Sequence, residues 1–96
     1  MDTDSVFQRV KIIVFGEVHY VGFRFSTIEI ARDLALVGWV KNEPDGTVQI
    51  VAEGEKEKLE NLVTWAKQGP PLAKVEKIEV VWGSATREFS GFEVEY

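Results

Sequence analysis

The spacing of apolar residues along the 96 residues limits the folds that this chain can adopt. From Val10 to Phe15 apolar residues alternate between two faces, which predicts a strand that ends at Gly16. From Thr27 to Ala35 they recur at helical spacing, and Gly38 just beyond them is predicted to stop the helix. The chain therefore opens with a strand followed by a helix.

The remaining sequence adds a hairpin, a helix and further strands. Trp39 to Lys41 leads into a turn at Glu43–Gly46, where Pro44 presets the first turn dihedral, and a second strand alternates from Thr47 to Glu53. A second helix is predicted from apolar residues at i, i+3, i+4 and i+7, and strands follow it. These segments are the helix containing Leu59, Leu62, Val63 and Ala66, its terminator Gly69-Pro70-Pro71, and the strands 75–82 and 89–96.

A β-α-β-β-α-β order with a doubled or extended last strand predicts one domain of the α+β class. Two β-α-β halves fold into a ferredoxin-like α/β sandwich, an antiparallel sheet with two helices on one face. We expect residues 1–7 to form a flexible tail and residues 8–96 to form the single domain. Many activities share this fold, so function must come from a site.

Composition excludes several kinds of chemistry. The chain has no cysteine and one histidine, which excludes disulfides, thiolate catalysis and multi-His or Cys-based metal sites, and we expect no cofactor. A net charge of -5, with scattered arginines, argues against a nucleic-acid partner. The acidic start and the short apolar runs argue against a signal peptide or a membrane span. We expect a cytoplasmic monomer.

The link between the first strand and the first helix, Gly16 to Arg24, is the most informative segment. It offers no Ser, Thr, Asp or Asn as N-cap, so the first helical amides lack a side-chain partner. Arg24 stands at the positive end of the helix dipole, and glycines at 16 and 22 allow unusual backbone shapes. A bound anion would account for all three features. Alternatively, water solvates the amides and Arg24 pairs with an acid such as Glu17.

Two motifs, one of them in this segment, resemble those of a known protein family. Residues 16–24 resemble the acylphosphatase signature Gly-x-Val-Gln-Gly-Val-Gly-Phe-Arg. Residues 38–48 are similar to the family's Gly-Trp-Val-x-Asn-x-x-Asp-Gly-x-Val, at the family's separation. Similarity continues through 51–54 and 67–71, so the resemblance covers roughly residues 9–96. It implies an enzyme of the acylphosphatase class (EC 3.6.1.7).

The resemblance implies hydrolysis of small acyl phosphates to carboxylate and phosphate, without a metal or a covalent intermediate. Arg24 would bind the phosphoryl oxygens, and Asn42 would hold the attacking water. Because a carboxyl phosphate has a good leaving group, positioning and charge stabilisation can suffice. The phosphate-binding loop backbone would comprise His19, Tyr20, Val21, Gly22 and Phe23, with Gly16 structural in the loop.

Alternatives remain at three of these positions. Asn42 could instead be a turn residue that bonds to its own backbone ahead of Pro44. His19 stands where the family has Gln, and it could be a base, although a loop histidine more often just preserves a hydrogen bond. Tyr20 stands where Gly is usual, and tyrosine tolerates a positive φ far less well. A strained loop at Tyr20 would distort the phosphate cradle.

Other functions are also compatible with the fold. The altered loop could make this a phosphate or acyl phosphate binding domain with weak or no turnover. A ferredoxin-like RNA-binding domain would show basic and aromatic residues on its sheet, where the last strand offers Glu93 and Glu95. A fragment of a larger carbamoyl-transfer enzyme is disfavoured by the start at Met1 and the lack of zinc-finger cysteines. An acyl phosphate hydrolysis assay separates the enzyme from the binding domain.

Overall fold

The computed structural model describes residues 7–96, and it confirms the α+β class with the predicted order of elements. The tail predicted for residues 1–7 lies outside the described residues, except that Phe7 is the first residue of a strand. The elements are β1 (Phe7–Glu17), α1 (Phe23–Asp33), β2 (Val37–Asn42), β3 (Val48–Glu55), α2 (Lys56–Ala66), β4 (Lys74–Ser84) and β5 (Phe92–Glu95).

The five strands form one sheet in the order β4-β1-β3-β2-β5. The pairs β4–β1, β1–β3 and β3–β2 are antiparallel, as the ferredoxin-like arrangement requires. The predicted sheet was wholly antiparallel, and this is wrong at one edge, because β5 runs parallel to β2. After β4 at one edge, the chain crosses the sheet and reaches β2 at the other, which determines the direction of β5. Residue alternation identifies a strand but not its neighbour.

The core lies between one face of the sheet and both helices. Even-numbered residues of β1 and β3 face each other across the ladder, as in the pairs Val10–Ala52, Ile12–Ile50 and Val14–Val48, and all six are fully buried. The helices close this face with their buried residues, which are Phe23, Thr27 and Ala31 of α1 and Leu59, Leu62 and Ala66 of α2. Each large aliphatic side chain buried there contributes about 1.5–3 kcal/mol.

The first helix ends earlier than the sequence predicts. Gly38 was predicted to stop it, but Gly38 lies inside β2, and the chain turns at Ala35, whose φ is 58°. The amide of Leu36 donates to the carbonyl of Ala31 and satisfies one of the terminal carbonyls. A left-handed alanine carries no sequence signal, so the next glycine was chosen instead. Within residues 7–96 neither helix is long and apolar enough to span a bilayer.

On the other face of the sheet, a buried carboxylate holds the connection between β4 and β5. Glu53 is fully buried and accepts hydrogen bonds from the amide and hydroxyl of Thr86, at 2.9 and 3.0 Å, and from the amide of Arg87, at 2.9 Å. Arg9 lies 3.6 Å from it. Burial alone would raise the pKa of Glu53, but these hydrogen bonds and the Arg9 charge hold that pKa below its ordinary value of 4.5. The carboxylate therefore fixes the path by which the chain enters β5.

Candidate active site

The register of the sheet brings the predicted site residues to one end of the molecule. Val14 of β1 pairs with Val48 of β3, which pairs with Asn42, the last residue of β2. The β1–α1 loop therefore leaves the sheet beside the end of β2. The parallel ladder pairs Lys41 with Glu95, so the chain end at Tyr96 follows at the same level. Segments far apart in sequence thus meet at this end of the sheet.

The first helix begins without a side-chain cap, as the sequence predicts. Gly22 is the N-cap residue, with φ 79° and ψ 17°, and no acidic residue stands in the first turn. Among residues 7–96, the amides of 20–25 donate no hydrogen bond to the backbone, and the first such bond runs from Ser26 to Gly22. Free amides at the positive end of a helix dipole favour an anion.

Phe23 fixes the orientation of this helix start. The structure places Phe23, predicted as part of the loop, in the first position of α1, where its ring is buried 5.3 Å from the ring of Trp65. The hydroxyl of Thr27 donates to the Phe23 carbonyl at 2.7 Å and holds the first turn. Because Phe23 points into the core, the next residue, Arg24, is directed away from it and lines a surface cavity.

Arg24 is not neutralised by an acid within the described residues. No carboxylate of residues 7–96 lies within 4.0 Å of it, and Glu17, the predicted alternative partner, lies 3.7 Å from Lys74 instead. The contact that Arg24 does make is with an aromatic ring: its guanidinium carbon lies 5.9 Å from the centre of the Tyr96 ring. Such stacking leaves the N–H groups at the edge of the guanidinium available to an anion.

Oδ1 of Asn42 does not accept the turn hydrogen bond that the alternative interpretation predicted. Its Oδ1 is buried and finds no hydrogen-bond partner among residues 7–96. The turn is held instead by Asp45, whose Oδ1 accepts from the amide and hydroxyl of Thr47 at 2.9 and 2.6 Å. The Thr47 hydroxyl and amide together hold the pKa of Asp45 below its ordinary value of 3.8. Asn42 therefore keeps its acceptor for another group.

His19 joins the loop to this turn. Its Nε2 lies 2.9 Å from the carbonyl oxygen of Thr47. Because a carbonyl can only accept, Nε2 carries the proton and donates it. The structure thus gives His19 a hydrogen-bonding role between two loops, and Nε2 is not free to act as a base.

Tyr20 and Gly16 both adopt unusual backbone conformations. Tyr20 has a φ of 61°, a left-handed conformation that favours glycine, and a side chain that is 98% exposed. Gly16 was predicted to be structural in the loop, but it lies within β1, at a register shift against β4. A Cβ on Gly16 would collide with the carbonyl oxygen of Lys74. Position 16 requires glycine because the two strands approach closely there and because its φ is 131°.

Tyr20, Gly22 and Phe23 of the loop line one cavity of about 250 Å³ together with Arg24 and Asn42. Val21 lies in the loop between Tyr20 and Gly22 and is half-buried, while His19 and Val21 are not part of the cavity wall. Apart from Arg24, the described residues of the wall carry no charged side chain. It is formed by Val18, Tyr20, Gly22, Phe23, Arg24, Phe25, Ile28, Asn42, Val94 and Tyr96.

Sequence reasoning missed part of this wall. Val94 and Tyr96 belong to the last strand and chain end, which enter the site only because β5 pairs parallel to β2. Nothing in their local sequence indicates that position. Thr47 was assigned only to a strand. In the structure its carbonyl accepts a hydrogen bond from His19, and its amide and hydroxyl donate hydrogen bonds to Asp45.

The fold and this cavity define a ferredoxin-like α+β domain with a cationic site at the start of its first helix. The family model described as acylphosphatase matches residues 10–94. The chain is 51% identical to an acylphosphatase of Thermococcus kodakarensis over 74 residues, which is 77% of this chain and 81% of the relative. It is 44% identical to an acylphosphatase of Pelotomaculum thermopropionicum over 88 residues, 92% of this chain and 96% of that one.

A solved structure agrees with these sequence relatives. The acylphosphatase from Bacillus subtilis superposes with a TM-score of 0.89 at 38% identity, covering 93% of this chain and 99% of that one. The chain therefore belongs to the acylphosphatase family. The predictions that it is a member of this family and an enzyme of this kind are confirmed.

Proposed function

We propose that the chain hydrolyses the carboxyl–phosphate bond of small acyl phosphates by direct attack of a water that Asn42 positions. The observation that carries this proposal is that Asn42 lines the cavity together with Arg24 and has a buried Oδ1 without a hydrogen-bond partner among residues 7–96. A buried acceptor without a donor costs about 1–3 kcal/mol. Rotation of the half-buried Asn42 side chain toward the cavity would let a water molecule donate to Oδ1, and this water would stand beside the bound phosphoryl group.

The phosphoryl group would be bound by Arg24 and by the loop backbone at Tyr20, Gly22 and Phe23, which line the cavity, whereas His19 and Val21 do not line it. The guanidinium offers charged N–H donors in a planar fork, which suits phosphoryl oxygens. Uncapped amides at the start of α1 add donors and the positive end of the helix dipole. These groups are fixed before substrate arrives, because Phe23 is anchored in the core and His19 is bonded to Thr47.

The reaction needs little beyond this placement. The water oxygen attacks phosphorus in line with the leaving carboxylate, and the phosphorus–oxygen bond to the acyl group breaks. The acyl group leaves as a carboxylate anion that needs no proton, and both protons of the water remain on the product dihydrogen phosphate. Arg24 and the amides stabilise charge on the equatorial phosphoryl oxygens, while Asn42 orients the nucleophile. Products are a carboxylate and inorganic phosphate.

The left-handed Tyr20 favours turnover over a binding-only role. Tyr20 adopts a left-handed φ of 61°, which glycine at this position would also adopt readily, so the tyrosine does not exclude that loop shape. The cost is strain carried by the folded protein. This supports an enzyme with an ordinary cradle and a loop of reduced stability.

The test is the release of inorganic phosphate from acetyl phosphate by the purified protein, compared with the uncatalysed rate in the same buffer. We expect saturable hydrolysis that EDTA leaves unchanged, with inorganic phosphate as a competitive inhibitor. Binding of phosphate without acceleration of hydrolysis would instead establish the binding domain. Absence of both would refute the proposal.

A further inference from the structure

The ring of Phe23 packs against the end of the second helix. Phe23 begins α1 and lines the cavity of the proposed active site, while only 2% of its surface is exposed. The Trp65 ring of α2 lies 5.3 Å from the Phe23 ring, centre to centre, with 58° between the two planes. An aromatic pair at this distance is a favourable packing contact. Because protein interiors are close-packed and transmit strain, a displaced Phe23 ring would displace the backbone beside the cavity.

The turn that ends α2 lies against the same ring. The amide of Gly69 donates to the carbonyl of Trp65 at 2.8 Å, and the φ of Gly69 is 70°. A Cβ at position 69 would stand 2.6 Å from Cε2 and 3.3 Å from Cδ2 of Phe23. Real Cβ atoms do not approach a neighbour at 2.6 Å, so a side chain at this position would push the Phe23 ring.

Termination of the helix does not explain this close contact. Gly22 and Gly46 also have a positive φ, of 79° and 93°, yet nothing lies within 4 Å of the place where their Cβ would stand. A left-handed backbone therefore does not by itself bring a neighbour against the missing side chain. Asparagine also ends helices in this conformation, so helix termination alone would allow it at position 69. The contact with Phe23 is the feature that restricts this position to glycine.

The turn after α2 has little freedom to move away from Phe23. Pro70 is buried, and its carbonyl accepts the amide of Ala73 at 3.0 Å. Pro70 and Pro71 fix φ at two successive positions. A Cβ at position 69 would also stand 3.3 Å from the Cβ of Ala73, on the turn itself. A collision at Gly69 is therefore relieved mainly by movement of the Phe23 ring.

We infer that Trp65 and Gly69 are positioning residues of the proposed active site, which fix the Phe23 ring and through it place the start of α1 for the phosphoryl group. The inference rests on the proposed function and gives the end of α2 a part in phosphate binding. Thr27 donates its hydroxyl to the Phe23 carbonyl at 2.7 Å, so the first turn of α1 moves with Phe23. Trp65 and Gly69 are not among the described residues that line the cavity, so they act through Phe23.

The experiment displaces the ring in two ways. Gly69→Asn accepts the left-handed backbone but places a Cβ against Phe23, and Trp65→Ala leaves a gap beside it. In both variants the inhibition constant of inorganic phosphate and the KM for acetyl phosphate should rise together by about 10-fold, the loss expected for about one hydrogen bond to a charged group. The kcat should change by less than about threefold, because Asn42, which is assigned to the water, lies on another strand.

Three further variants separate positioning from a general loss of stability. Trp65→Phe keeps an aromatic contact and should retain phosphate affinity. In a Phe23→Leu background the shorter side chain leaves room at position 69, so Gly69→Asn should weaken phosphate binding by much less than 10-fold there. Leu59→Val alters a buried side chain about 9 Å along α2 from Trp65 and should lower the free energy of unfolding without changing phosphate affinity. Equal weakening in Leu59→Val, or in Gly69→Asn with and without Phe23→Leu, overturns the inference.

Phosphate titrations followed by amide NMR distinguish failure of this inference from failure of the proposed function. In the wild type the amide signals of residues 22–24 should shift on addition of inorganic phosphate, and in Gly69→Asn and Trp65→Ala about 10-fold more phosphate should be needed. If acetyl phosphate is not hydrolysed, the proposed function fails, although phosphate binding still tests the positioning. Unchanged phosphate affinity in folded Trp65→Ala overturns the inference, even where Gly69→Asn does not fold.

Discussion

Nε2 of His19 donates to the carbonyl oxygen of Thr47 at 2.9 Å, and this bond joins two loops that are 28 residues apart in sequence. The same carbonyl accepts the amide of Glu43 at 2.9 Å, so it connects the loop before α1 with the turn that follows Asn42. The two halves of the proposed site, Arg24 with its amides and Asn42, therefore share one polar junction.

His19→Gln should preserve acetyl phosphate hydrolysis, because glutamine supplies an N–H donor that can reach the same carbonyl. His19→Ala removes the donor and should lower activity by loosening the junction between the loops. Rates are measured for both variants between pH 5 and pH 8. In the tautomer that this bond requires, Nε2 of His19 carries a proton and donates it whether the ring is neutral or charged, so the bond itself does not depend on the charge of the ring. A bell-shaped profile that disappears in His19→Gln would show that His19 is a general base.

Arg24→Ala should reduce kcat/KM for acetyl phosphate by about 10²–10³, which corresponds to about 2–4 kcal/mol of transition-state stabilisation. The folded state should be unaffected or slightly stabilised, because a cation leaves the positive end of the α1 dipole. Kinetics are paired with urea denaturation, and Lys58→Ala, an exposed cation of α2, is the control. Retention of more than half the activity would refute the role given to Arg24.

Asn42→Ala should lower kcat by about 10² while inhibition by inorganic phosphate stays within about twofold, because Asn42 is assigned to the water and not to the phosphoryl oxygens. The protein should lose little stability, since the mutation removes a buried acceptor that has no partner among residues 7–96. Asn42→Asp keeps the size but adds a charge that repels phosphate, so it should weaken inhibition as well. Equal losses of kcat and phosphate affinity in Asn42→Ala would make Asn42 a structural residue.

Local signals in the sequence account for most of the fold and for the proposed catalytic pair. Alternation, helical spacing and the turn at Glu43–Gly46 indicate the strands and helices of residues 7–96, although β5 is shorter than predicted. The missing N-cap before Phe23 correctly indicates uncapped amides. Arg24 and Asn42 could be chosen because each lies in a motif. That the two residues line one cavity follows from the register of β1, β3 and β2.

What could not be predicted depends on pairing over long distances. The parallel position of β5 brings Tyr96 against Arg24, and a strand pattern alone does not say which edge it joins. Glu53 appears as a polar position of a strand, yet it is fully buried because the segment after β4 folds over it. Ala35 turns with a positive φ although its sequence offers no glycine, so the helix end was misplaced.

Tyr20→Gly and Tyr20→Asn should both raise the free energy of unfolding, because each relieves a left-handed backbone that costs tyrosine about 1–2 kcal/mol. Glycine also adds conformational freedom to the unfolded chain, which lowers the free energy of unfolding by about 0.4–1 kcal/mol. The asparagine variant should therefore be the more stable of the two. Tyr20→Ala keeps the strain and serves as the control. Thermal and urea unfolding measure the order of stability of these variants. Phosphate affinity should rise or stay the same in the glycine and asparagine variants. Equal stability of the glycine, asparagine and alanine variants would show that the backbone at position 20 is not strained.

Glu53→Gln should destabilise the protein by about 1–3 kcal/mol at pH 7, because the amide nitrogen of glutamine would face donors and leave one of them unsatisfied. The donors are the backbone amides of Thr86 and Arg87, together with the Thr86 hydroxyl. Since this segment leads into β5, which carries Val94 toward the cavity, the variant should also lower activity mainly through KM. Glu60→Gln, an exposed residue of α2, is the control.

The difference in the free energy of unfolding between the wild type and Glu53→Gln should decrease as the pH is lowered. The pKa of Glu53 is held below its ordinary value of 4.5 in the folded protein, so below that value the unfolded chain binds more protons. The stabilisation by this carboxylate is therefore fully present above pH 4.5 and is lost as the pH falls through the folded-state pKa. Urea midpoints of the two proteins should differ by a constant amount from pH 6 to 8 and should converge in acid. A difference that grows below pH 4.5 would mean that burial, and not the hydrogen bonds from the segment after β4, dominates at Glu53.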